Sequence, residues 1–293
     1  MPASPRSLLD LPSFGQENIQ AVFSEAKDPT PIKMQTGKTA GLLFFEPSTR
    51  TRLSFETACV HLGLGPLVFL GGQGTSMEKG ESVEDAILNI AAMDPSVLVI
   101  RCGDKVDLLG FAKKLNMPII SGGWGQRGHP SQALLDFYTL EQRRPTREAR
   151  ILYVGDVIHS RVFSSHLEYL KMYGGEFAVC GPESLLPADS KIRRFEKIED
   201  GLAWANVIYA LRYQLERHEK TGKLSGQEIA ESYGLRTRHL KILSKDALIM
   251  HPGPVNKGME MDEEIYSDSR SLILDQVKNG VRVRQALIRK LLG

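Results

Sequence analysis

Short apolar runs alternate with amphipathic helical patterns along the chain, and this alternation limits the fold more than any other feature of the sequence. Four apolar runs are typical of buried strands and cover residues 39–45, 66–70, 97–101 and 118–121. The helical patterns that follow them begin near residues 50, 82, 107 and 129. Strands that alternate with helices form parallel sheets, and a run as apolar as VLVIR at residues 97–101 indicates a sheet covered on both faces.

A polar break at residues 142–148 (QRRPTRE) separates this block from a second one. After the break, strands are predicted at residues 151–154, 177–180, 207–211 and 247–250. Helices are predicted at residues 161–173, 198–205 and 226–233, with a last one near residues 275–292. The sequence therefore predicts an α/β fold of two domains, each a four-stranded parallel sheet flanked by helices.

Composition narrows the possible partners. The chain is 42% hydrophobic and 25% charged, as ordinary globular proteins are, and no apolar run is long enough to span a bilayer. The formal net charge of +2 lacks the broad basic excess of a general nucleic-acid or membrane-surface protein, so neither partner is expected. Any cationic site must therefore be local.

The three cysteines, Cys59, Cys102 and Cys180, are isolated and lie in apolar contexts. They form neither a CxxC pair nor another metal-ligand spacing, so no metal site is predicted. We expect buried free thiols in a reducing environment. Together with a first segment that lacks the apolar core of a signal peptide, this predicts a cytoplasmic protein.

The segment STRTR at residues 48–52 lies where the first predicted strand passes into a helix. Ligands of parallel α/β sheets bind beyond the carboxyl ends of strands, and the free N–H groups of a helix start attract anions. Arg50 can bind phosphate through its planar guanidinium, while Ser48, Thr49 and Thr51 add hydroxyl donors. The alternative is an ordinary N-cap with solvated arginines, but so many donors between an apolar strand and a helix favour a phosphate site.

Other polar residues follow the remaining predicted strands. Arg101 ends the third strand and is either buried with a partner or extended to solvent. His129 follows the glycine-rich segment GGWGQRG and either takes part in chemistry or caps a helix. The strands of the second block lead to Arg161, to Arg212 and to HPGP at residues 251–254, where two prolines leave carbonyl groups as acceptors.

Lys79 lies in the glycine-rich loop GGQGTSMEKGES and is either a ligand or a solvated loop lysine. With the arginines named above, it would bring up to five positive charges to one cleft. The sequence has no GxSxG, HExxH or P-loop motif that would mark a nucleophile, a metal site or a phosphate-binding loop. This favours transfer between two bound anions, driven by positioning and electrostatics.

Two of these segments together resemble a known family. STRTR at residues 48–52 and HPSQ at residues 129–132 are similar to the carbamoyl-phosphate signature and the H-P-x-Q motif of the aspartate/ornithine carbamoyltransferases, and the order of motifs matches along nearly the whole chain. Arg212-Tyr213-Gln214 resembles the R-x-Q of the aspartate branch, and HPGP its H-P-x-P. The S-M-G and H-C-L-P motifs of the ornithine branch are absent.

The resemblance implies a carbamoyl-phosphate-binding domain of residues 1–131, to which a C-terminal helix at about 275–293 returns, and an aspartate-binding domain of residues 132–274. The implied reaction transfers the carbamoyl group of carbamoyl phosphate to L-aspartate in pyrimidine biosynthesis, with no cofactor and no metal. A carbamoyltransferase for another amine such as ornithine, and a catalytically silent structural member of the family, remain alternatives.

The resemblance also implies roles for individual residues. For carbamoyl phosphate, the implied ligands are Ser48, Thr49, Arg50, Thr51, Arg101, His129, Gln132, Gly253 and Pro254. For aspartate, they are Ser76, Lys79, Arg161, Arg212 and Gln214. Those expected to act in catalysis are Arg50, Thr51, Lys79, Arg101 and His129. No role is assigned to Arg52.

Two positions depart from the family pattern, because Ser131 stands where threonine is common and Gly253 where a larger residue often occurs. Activity is expected to survive both. The resemblance further implies a homotrimer in which the Ser76–Lys79 loop reaches a neighbour's site. It leaves open whether the trimer joins regulatory chains or a dihydroorotase.

Overall fold

The computed structural model describes residues 7–28, 34–72, 74–213 and 225–293. Within them the chain divides into two compact units, each built around a parallel sheet with helices, as the sequence predicts. The first unit takes Met1–Tyr138, Ser164–Met172 and Val277–Gly293, and the second takes Thr139–Phe163 and Tyr173–Gln276. The chain therefore first passes between the units at residues 138–139, within a helix, and does so again at residues 163–164, 172–173 and 276–277.

The first unit contains a four-stranded sheet in the order β2-β1-β3-β4, with all pairs parallel. Its strands are β1 (Thr39–Phe44), β2 (Gly65–Leu70), β3 (Val97–Cys102) and β4 (Ile119–Trp124). Its helices are α1 (Leu11–Phe14), α2 (Gln16–Lys27), α3 (Thr49–Leu62), α4 (Val83–Ala91), α5 (Leu108–Lys114) and most of α6 (Pro130–Glu141). All four predicted strands of this block and its four predicted helices are confirmed within a few residues.

Local sequence signals determine where these helices end. Ser82 caps α4, because its hydroxyl accepts a hydrogen bond from the Asp85 N–H at 3.0 Å. Gly63 ends α3 with a φ of 71°, a conformation that glycine adopts more easily than other residues. Between the helices, the central strands β1 and β3 are almost wholly apolar, and Leu42, Val99 and Ile100 have no exposed surface.

The second unit has a five-stranded parallel sheet in the order β7-β6-β5-β8-β9. The strands are β5 (Arg150–Val154), β6 (Glu176–Cys180), β7 (Arg193–Phe195), β8 (Val207–Ala210) and β9 (Leu248–Met250). The α-helices described after β5 are α7 (Arg161–Tyr173), α8 (Ile198–Trp204), α9 (Gly226–Tyr233), α10 (Glu263–Tyr266) and α11 (Ile273–Leu292).

The prediction of four strands in this block is wrong, since β7 forms a fifth. This strand has only three residues, two of which are the exposed arginines Arg193 and Arg194. It pairs with β6 at the edge of the sheet through the register Cys180–Phe195. A charged run of three residues carries no apolar pattern, so periodicity could not reveal it.

The C-terminal helix α11 returns to the first unit, as predicted, and a buried arginine anchors it there. Arg284 is 3% exposed, and its Nη1 donates a hydrogen bond to Ser54 Oγ at 2.7 Å. Its guanidinium lies 4.9 Å from the centre of the Phe55 ring, within the range of a cation–π contact. Burial lowers the pKa of Arg284 to about 10, whereas the charge of Asp136 acts in the opposite direction.

The cysteine prediction is confirmed, because Cys59, Cys102 and Cys180 are all free and buried. Burial raises the pKa of the Cys59 and Cys180 thiols to about 12. No helix among the described residues is both long enough and apolar enough to span a membrane.

Gly155 makes the turn that follows β5, where no larger residue fits. Its φ is 121°, and a Cβ atom at this position would lie 2.7 Å from the carbonyl oxygen of Leu211. The two neighbouring strands are held together here, because the Leu211 N–H donates to the Val154 carbonyl at 2.8 Å. The backbone therefore cannot move away from an added side chain without breaking the sheet.

We expect Gly155→Ala to lower the free energy of unfolding by about 2–4 kcal/mol, since it combines an unfavourable φ with a backbone clash. Urea unfolding followed by circular dichroism measures this loss. Gly174→Ala is the matched control, because Gly174 has a φ of 81° but its added Cβ would meet nothing closer than 3.9 Å. The control should lose about 1 kcal/mol, and equal losses in both variants would contradict the clash.

Candidate active site

The segment between β1 and α3 places several donors at the carboxyl edge of the first sheet. Thr49 is the first residue of α3, and Ser48 is its N-cap. The Ser48 side chain makes no capping hydrogen bond, so it does not occupy the first-turn N–H groups. Arg50 is exposed, whereas Thr51 is only 7% exposed. A helix start with these donors can bind an anion such as phosphate.

Arg52 faces a different partner from the rest of this segment. Its Nε lies 3.7 Å from the Glu56 Oε1, one turn further along α3. Both side chains are partly exposed, at 30% and 25%. This i, i+4 ion pair lies on the surface of α3.

Arg101 is largely shielded from solvent and has partners, which favours the first of the two alternatives left open by the sequence. It lies opposite Phe44 in the parallel pair of β1 and β3, and its side chain is 14% exposed. Its Nη1 donates to the Gly122 carbonyl at 3.2 Å, and its Nε lies 3.8 Å from Glu46 Oε2. These contacts hold the guanidinium at the same edge of the sheet as the start of α3.

His129 and Thr51 bring the two sequence motifs together. Thr51 Oγ1 and His129 Nε2 lie 3.4 Å apart, although the residues are 78 positions apart in the chain. The other ring nitrogen, Nδ1, lies 3.4 Å from the Ser131 Oγ. The His129 N–H donates to Ser165 Oγ at 3.0 Å, which fixes the backbone just before α6. The imidazole is 5% exposed.

Ser131 and Gln132 complete this motif at the start of α6. Ser131 Oγ donates to the Ser121 carbonyl of β4 at 3.2 Å. This contact uses the hydroxyl group, which serine shares with the threonine common at this position. Gln132 Nε2 donates to Asp136 Oδ1 at 3.0 Å. Both side chains are buried, with 1% and 8% of their surface exposed.

The Ser76–Lys79 segment forms a short 3₁₀ helix in the first unit, with both end residues exposed. Ser76 Oγ donates to Glu81 Oε2, and Asn89 Nδ2 donates to Glu81 Oε1 at 2.7 Å. Among the described residues, neither Ser76 nor Lys79 contacts another predicted ligand through a hydrogen bond or ion pair. In the described chain, no hydrogen bond or ion pair therefore joins this segment to Thr51 or His129.

In the second unit, Arg161 is the first residue of α7 and follows the carboxyl end of β5. The loop between them is organised by Asp156, which is completely buried. Its Oδ1 lies 2.8 Å from His159 Nδ1 and accepts from the His159 N–H at 3.3 Å. A buried carboxylate thus sets the path of the chain into the helix that begins with Arg161.

Arg212 follows β8 and is exposed, while its neighbour Tyr213 is 3% exposed. The Tyr213 N–H donates to Glu260 Oε1 at 3.2 Å, and Asn256 Nδ2 donates to the same oxygen at 3.1 Å. Burial raises the pKa of Glu260, and its hydrogen bonds and the charge of Arg212 act against that shift. Gln214, the last residue of the predicted R-x-Q, lies outside the described residues.

The HPGP segment follows β9, at the carboxyl edge of the second sheet. His251 is 1% exposed, and its N–H donates to Gln276 Oε1 at 3.0 Å. Its Nδ1 accepts a hydrogen bond from the Gly253 N–H at 2.8 Å, which folds the segment back on itself. Gly253 has a φ of 69°, so the turn favours glycine at this departure from the family pattern. The Gly253–Pro254 peptide bond is cis.

Three residues that support predicted ligands within their own unit were missed in the sequence: Asp136 and Ser165 in the first unit, and Glu260 in the second. Asp136 had a readable signal, because it stands four residues after Gln132 in a predicted helix and must share its face. Ser165 and Glu260 gave none, since each contacts a segment more than 35 residues away.

Models of one family match nearly the whole chain. Residues 6–142 match the aspartate/ornithine carbamoyltransferase carbamoyl-P binding domain, and residues 147–291 match the Asp/Orn binding domain of the same family. The first of these regions holds STRTR and HPSQ, and the second holds Arg161, Arg212 and HPGP.

Several relatives are similar over nearly their full length. An aspartate carbamoyltransferase catalytic subunit of Desulfitobacterium hafniense is 40% identical over 302 residues, covering 99% of this chain and 96% of the relative. That of Solibacter usitatus is 37% identical, covering 99% and 100%. Among solved structures, the catalytic subunit of M. Jannaschii aspartate transcarbamoylase has a TM-score of 0.83 at 29% identity, with 98% and 97% covered. Ornithine carbamoyltransferase of Thermus thermophilus shares the fold, with a TM-score of 0.84 at 24% identity and 99% and 100% covered. The chain belongs to the aspartate/ornithine carbamoyltransferase family.

Proposed function

We propose that this chain is a carbamoyltransferase that joins carbamoyl phosphate and L-aspartate to give N-carbamoyl-L-aspartate and phosphate, a step of de novo pyrimidine (UMP) biosynthesis. The observation that carries the proposal is the 3.4 Å approach of Thr51 Oγ1 to His129 Nε2, which joins the STRTR and HPSQ motifs at one sheet edge. The relatives named aspartate carbamoyltransferase, at 37–40% identity, support the aspartate branch.

In this scheme the phosphate of carbamoyl phosphate binds at the start of α3. The N–H groups of the first turn and the hydroxyls of Ser48, Thr49 and Thr51 donate to the phosphate oxygens. Arg50 and Arg101 add guanidinium donors, which form charge-assisted hydrogen bonds. Arg101 is suited to this role because Glu46 and the Gly122 carbonyl already hold it in place.

The carbamoyl oxygen is polarised by Thr51, Arg101 and His129. As the neutral amine of aspartate attacks the carbamoyl carbon, negative charge grows on this oxygen, and three fixed donors stabilise it as an oxyanion hole does. The C–N bond forms while the C–O bond to phosphate breaks. The departing phosphate accepts the proton of the amine, so the scheme needs no protein base.

The carbamoyl NH2 donates to acceptors of the chain, which are Gln132 Oε1 and the carbonyls of Gly253 and Pro254. Arg161 binds the α-carboxylate of aspartate. Arg212, Gln214 and Lys79 bind its β-carboxylate, with Ser76 beside Lys79. A second carboxylate suits this cationic set, whereas the side-chain ammonium of ornithine would be repelled by Arg212. We assign carbamoyl phosphate to the first domain and aspartate to the second.

We also propose a homotrimer with shared active sites. The support is that Lys79 and Ser76 are exposed and, within the described residues, make no hydrogen bond or ion pair with the other predicted ligands. A neighbouring chain could therefore receive this segment. Regulatory chains or a dihydroorotase could join such a trimer, and the scheme places the enzyme in the cytoplasm.

The phosphate site can be tested by comparing two arginines of the same helical turn. We expect Arg50→Ala to weaken the binding of inorganic phosphate about 10–100-fold, because a charge-assisted contact is lost. The matched control is Arg52→Ala, which removes only a partly exposed ion pair with Glu56 and should change the affinity less than about twofold. Calorimetric titration measures both, and similar losses would contradict the assignment.

The aspartate assignment can be tested with the bisubstrate mimic N-(phosphonacetyl)-L-aspartate. Arg50→Ala removes a phosphonate contact and Arg212→Ala a carboxylate contact, so each should weaken binding at least about tenfold. Arg238→Ala, an exposed arginine of the second unit, is the control and should bind like the wild type. In activity assays aspartate should be carbamoylated and ornithine should not, and a preference for ornithine would reject the proposal.

Shared sites can be tested by mixing two inactive variants, Arg50→Ala and Lys79→Ala, under conditions of subunit exchange. If Lys79 acts in a neighbour's site, an intact site needs Arg50 from a Lys79→Ala chain and Lys79 from an adjacent Arg50→Ala chain. In a random equal mixture each condition has a probability of one half, so one quarter of the sites are intact. Activity should then recover to about one quarter of that of the wild type. Each variant exchanged with itself is the control, and no recovery despite proven exchange would show that the loop acts within its own chain.

A further inference from the structure

The side-chain amide of Gln132 is held in one orientation by a buried carboxylate one helical turn away. Gln132 Nε2 lies 3.0 Å from Asp136 Oδ1, and both residues are on the same face of α6. An ionised carboxylate accepts hydrogen bonds and cannot donate them. The amide must therefore turn its NH2 group toward Asp136 and its carbonyl oxygen, Oε1, in the opposite direction.

Asp136 is itself fixed by further groups of the first unit. His166 Nε2 lies 3.1 Å from Asp136 Oδ2, so the two carboxylate oxygens have different partners. Both side chains are almost fully buried, and the His166 ring packs at 4.7 Å from that of Phe137. The positive charge of Arg284 on α11 also interacts with Asp136. A carboxylate held from several sides cannot readily rotate to release the Gln132 amide.

The opposite end of the same amide has no such partner. Across the residues that the structure describes, Oε1 of Gln132 receives no hydrogen bond from the protein, while its Nε2 is occupied. Gln132 stands in the motif that begins with His129, whose ring approaches Thr51. The group offered to a ligand at this point is an acceptor, and it requires a donor.

We propose that Asp136 is a positioning residue that fixes Gln132 as an acceptor and so makes the site select acyl phosphates with an NH2 group over those with a methyl group. This inference rests on the proposed function, because it takes the carbamoyl NH2 as the donor. A carbamoyl group satisfies Oε1. An acetyl group leaves it unpaired, which is the kind of mismatch by which polar sites reject isosteric ligands.

A purely structural role is the competing explanation for Asp136. A residue that only stabilises the fold would, when replaced, weaken every ligand of the site to a similar degree. A positioning residue affects the distinction between NH2 and CH3 and leaves the affinity for the phosphate group unchanged. The ratio of two affinities therefore separates the explanations.

Two stable ligands provide this ratio in the full-length protein: phosphonoacetamide, which carries the NH2 group, and acetonylphosphonate, which carries a methyl in its place. We expect the wild type to prefer phosphonoacetamide and Asp136→Asn to reduce that preference about tenfold, since asparagine can present either its carbonyl or its NH2 to Gln132 and no longer fixes which end of that amide faces the ligand. Binding of inorganic phosphate and of acetonylphosphonate should change less than about twofold. Calorimetric titration measures all three ligands.

Matched variants separate the possible results. Gln132→Met should lose the same preference, and combining it with Asp136→Asn should add nothing, because Asp136 acts through Gln132. Glu168→Gln alters another partly buried carboxylate of the same unit, which accepts from the Leu11 N–H at 3.1 Å, and should keep the preference. Asp136→Ser serves as a second variant with a smaller side chain.

Three results would overturn the inference. The first is an unchanged preference in both Asp136 variants, and the second is an equal loss for all three ligands. The third is a failure of both variants to bind phosphate at all, which would show that Asp136 is needed for the fold of the unit. A wild type that binds phosphate but does not prefer phosphonoacetamide would reject the carbamoyl assignment itself, so failure of the proposed function is recognisable separately.

Discussion

The parallel pairing of β1 with β3 is the constraint on which the first unit depends. It places Phe44 opposite Arg101, so the loop after β1 and the guanidinium at the end of β3 meet at one edge of the sheet. The same loop starts α3, whose first-turn N–H groups lie at that edge, and Thr51 on this turn reaches His129. Side chains that are 78 positions apart are thus brought together by the parallel pairing of β1 with β3 and of β3 with β4.

This arrangement removes several charged groups from solvent, and three of them have identifiable partners in the described structure. Arg101 has Glu46 and the Gly122 carbonyl, Asp136 has Gln132 and His166, and Arg284 has Ser54 and the Phe55 ring. An isolated charge in an apolar interior is strongly unfavourable, so each of these groups can be withdrawn from solvent only because its partner offsets the cost. The consequence is rigidity, since a guanidinium or carboxylate with several partners has few orientations left. Rigid donors that need no reorganisation are what the proposed oxyanion stabilisation requires.

Much of this could be predicted from the sequence, because apolar runs and helix caps are local signals. The periodicity located β1 to β4 and both ends of α7 and α9, and Gly63 and Ser82 marked helix ends by their own chemistry. The strand β7 escaped prediction because three residues with two arginines have no periodic pattern. The burial of Arg101 could not be decided in advance, since it depends on a carbonyl 21 residues away. Tertiary contacts of this kind leave no mark on spacing, whereas the i, i+4 pair of Gln132 and Asp136 does.

The second unit shows how a residue without any local signal can control a predicted one. Glu260 is 2% exposed and accepts hydrogen bonds from the Tyr213 N–H and from Asn256, 47 and 4 positions away. One carboxylate therefore ties the segment of Arg212 to the segment that follows Pro254. Burial raises the pKa of Glu260, so as the pH falls this carboxylate is protonated earlier than an exposed glutamate. Protonation would weaken it as a hydrogen-bond acceptor. The backbone that carries Arg212 would then lose part of its support. The position of Arg212, which is proposed to bind the β-carboxylate of aspartate, would thus depend on the ionisation of Glu260, which is not itself a proposed ligand.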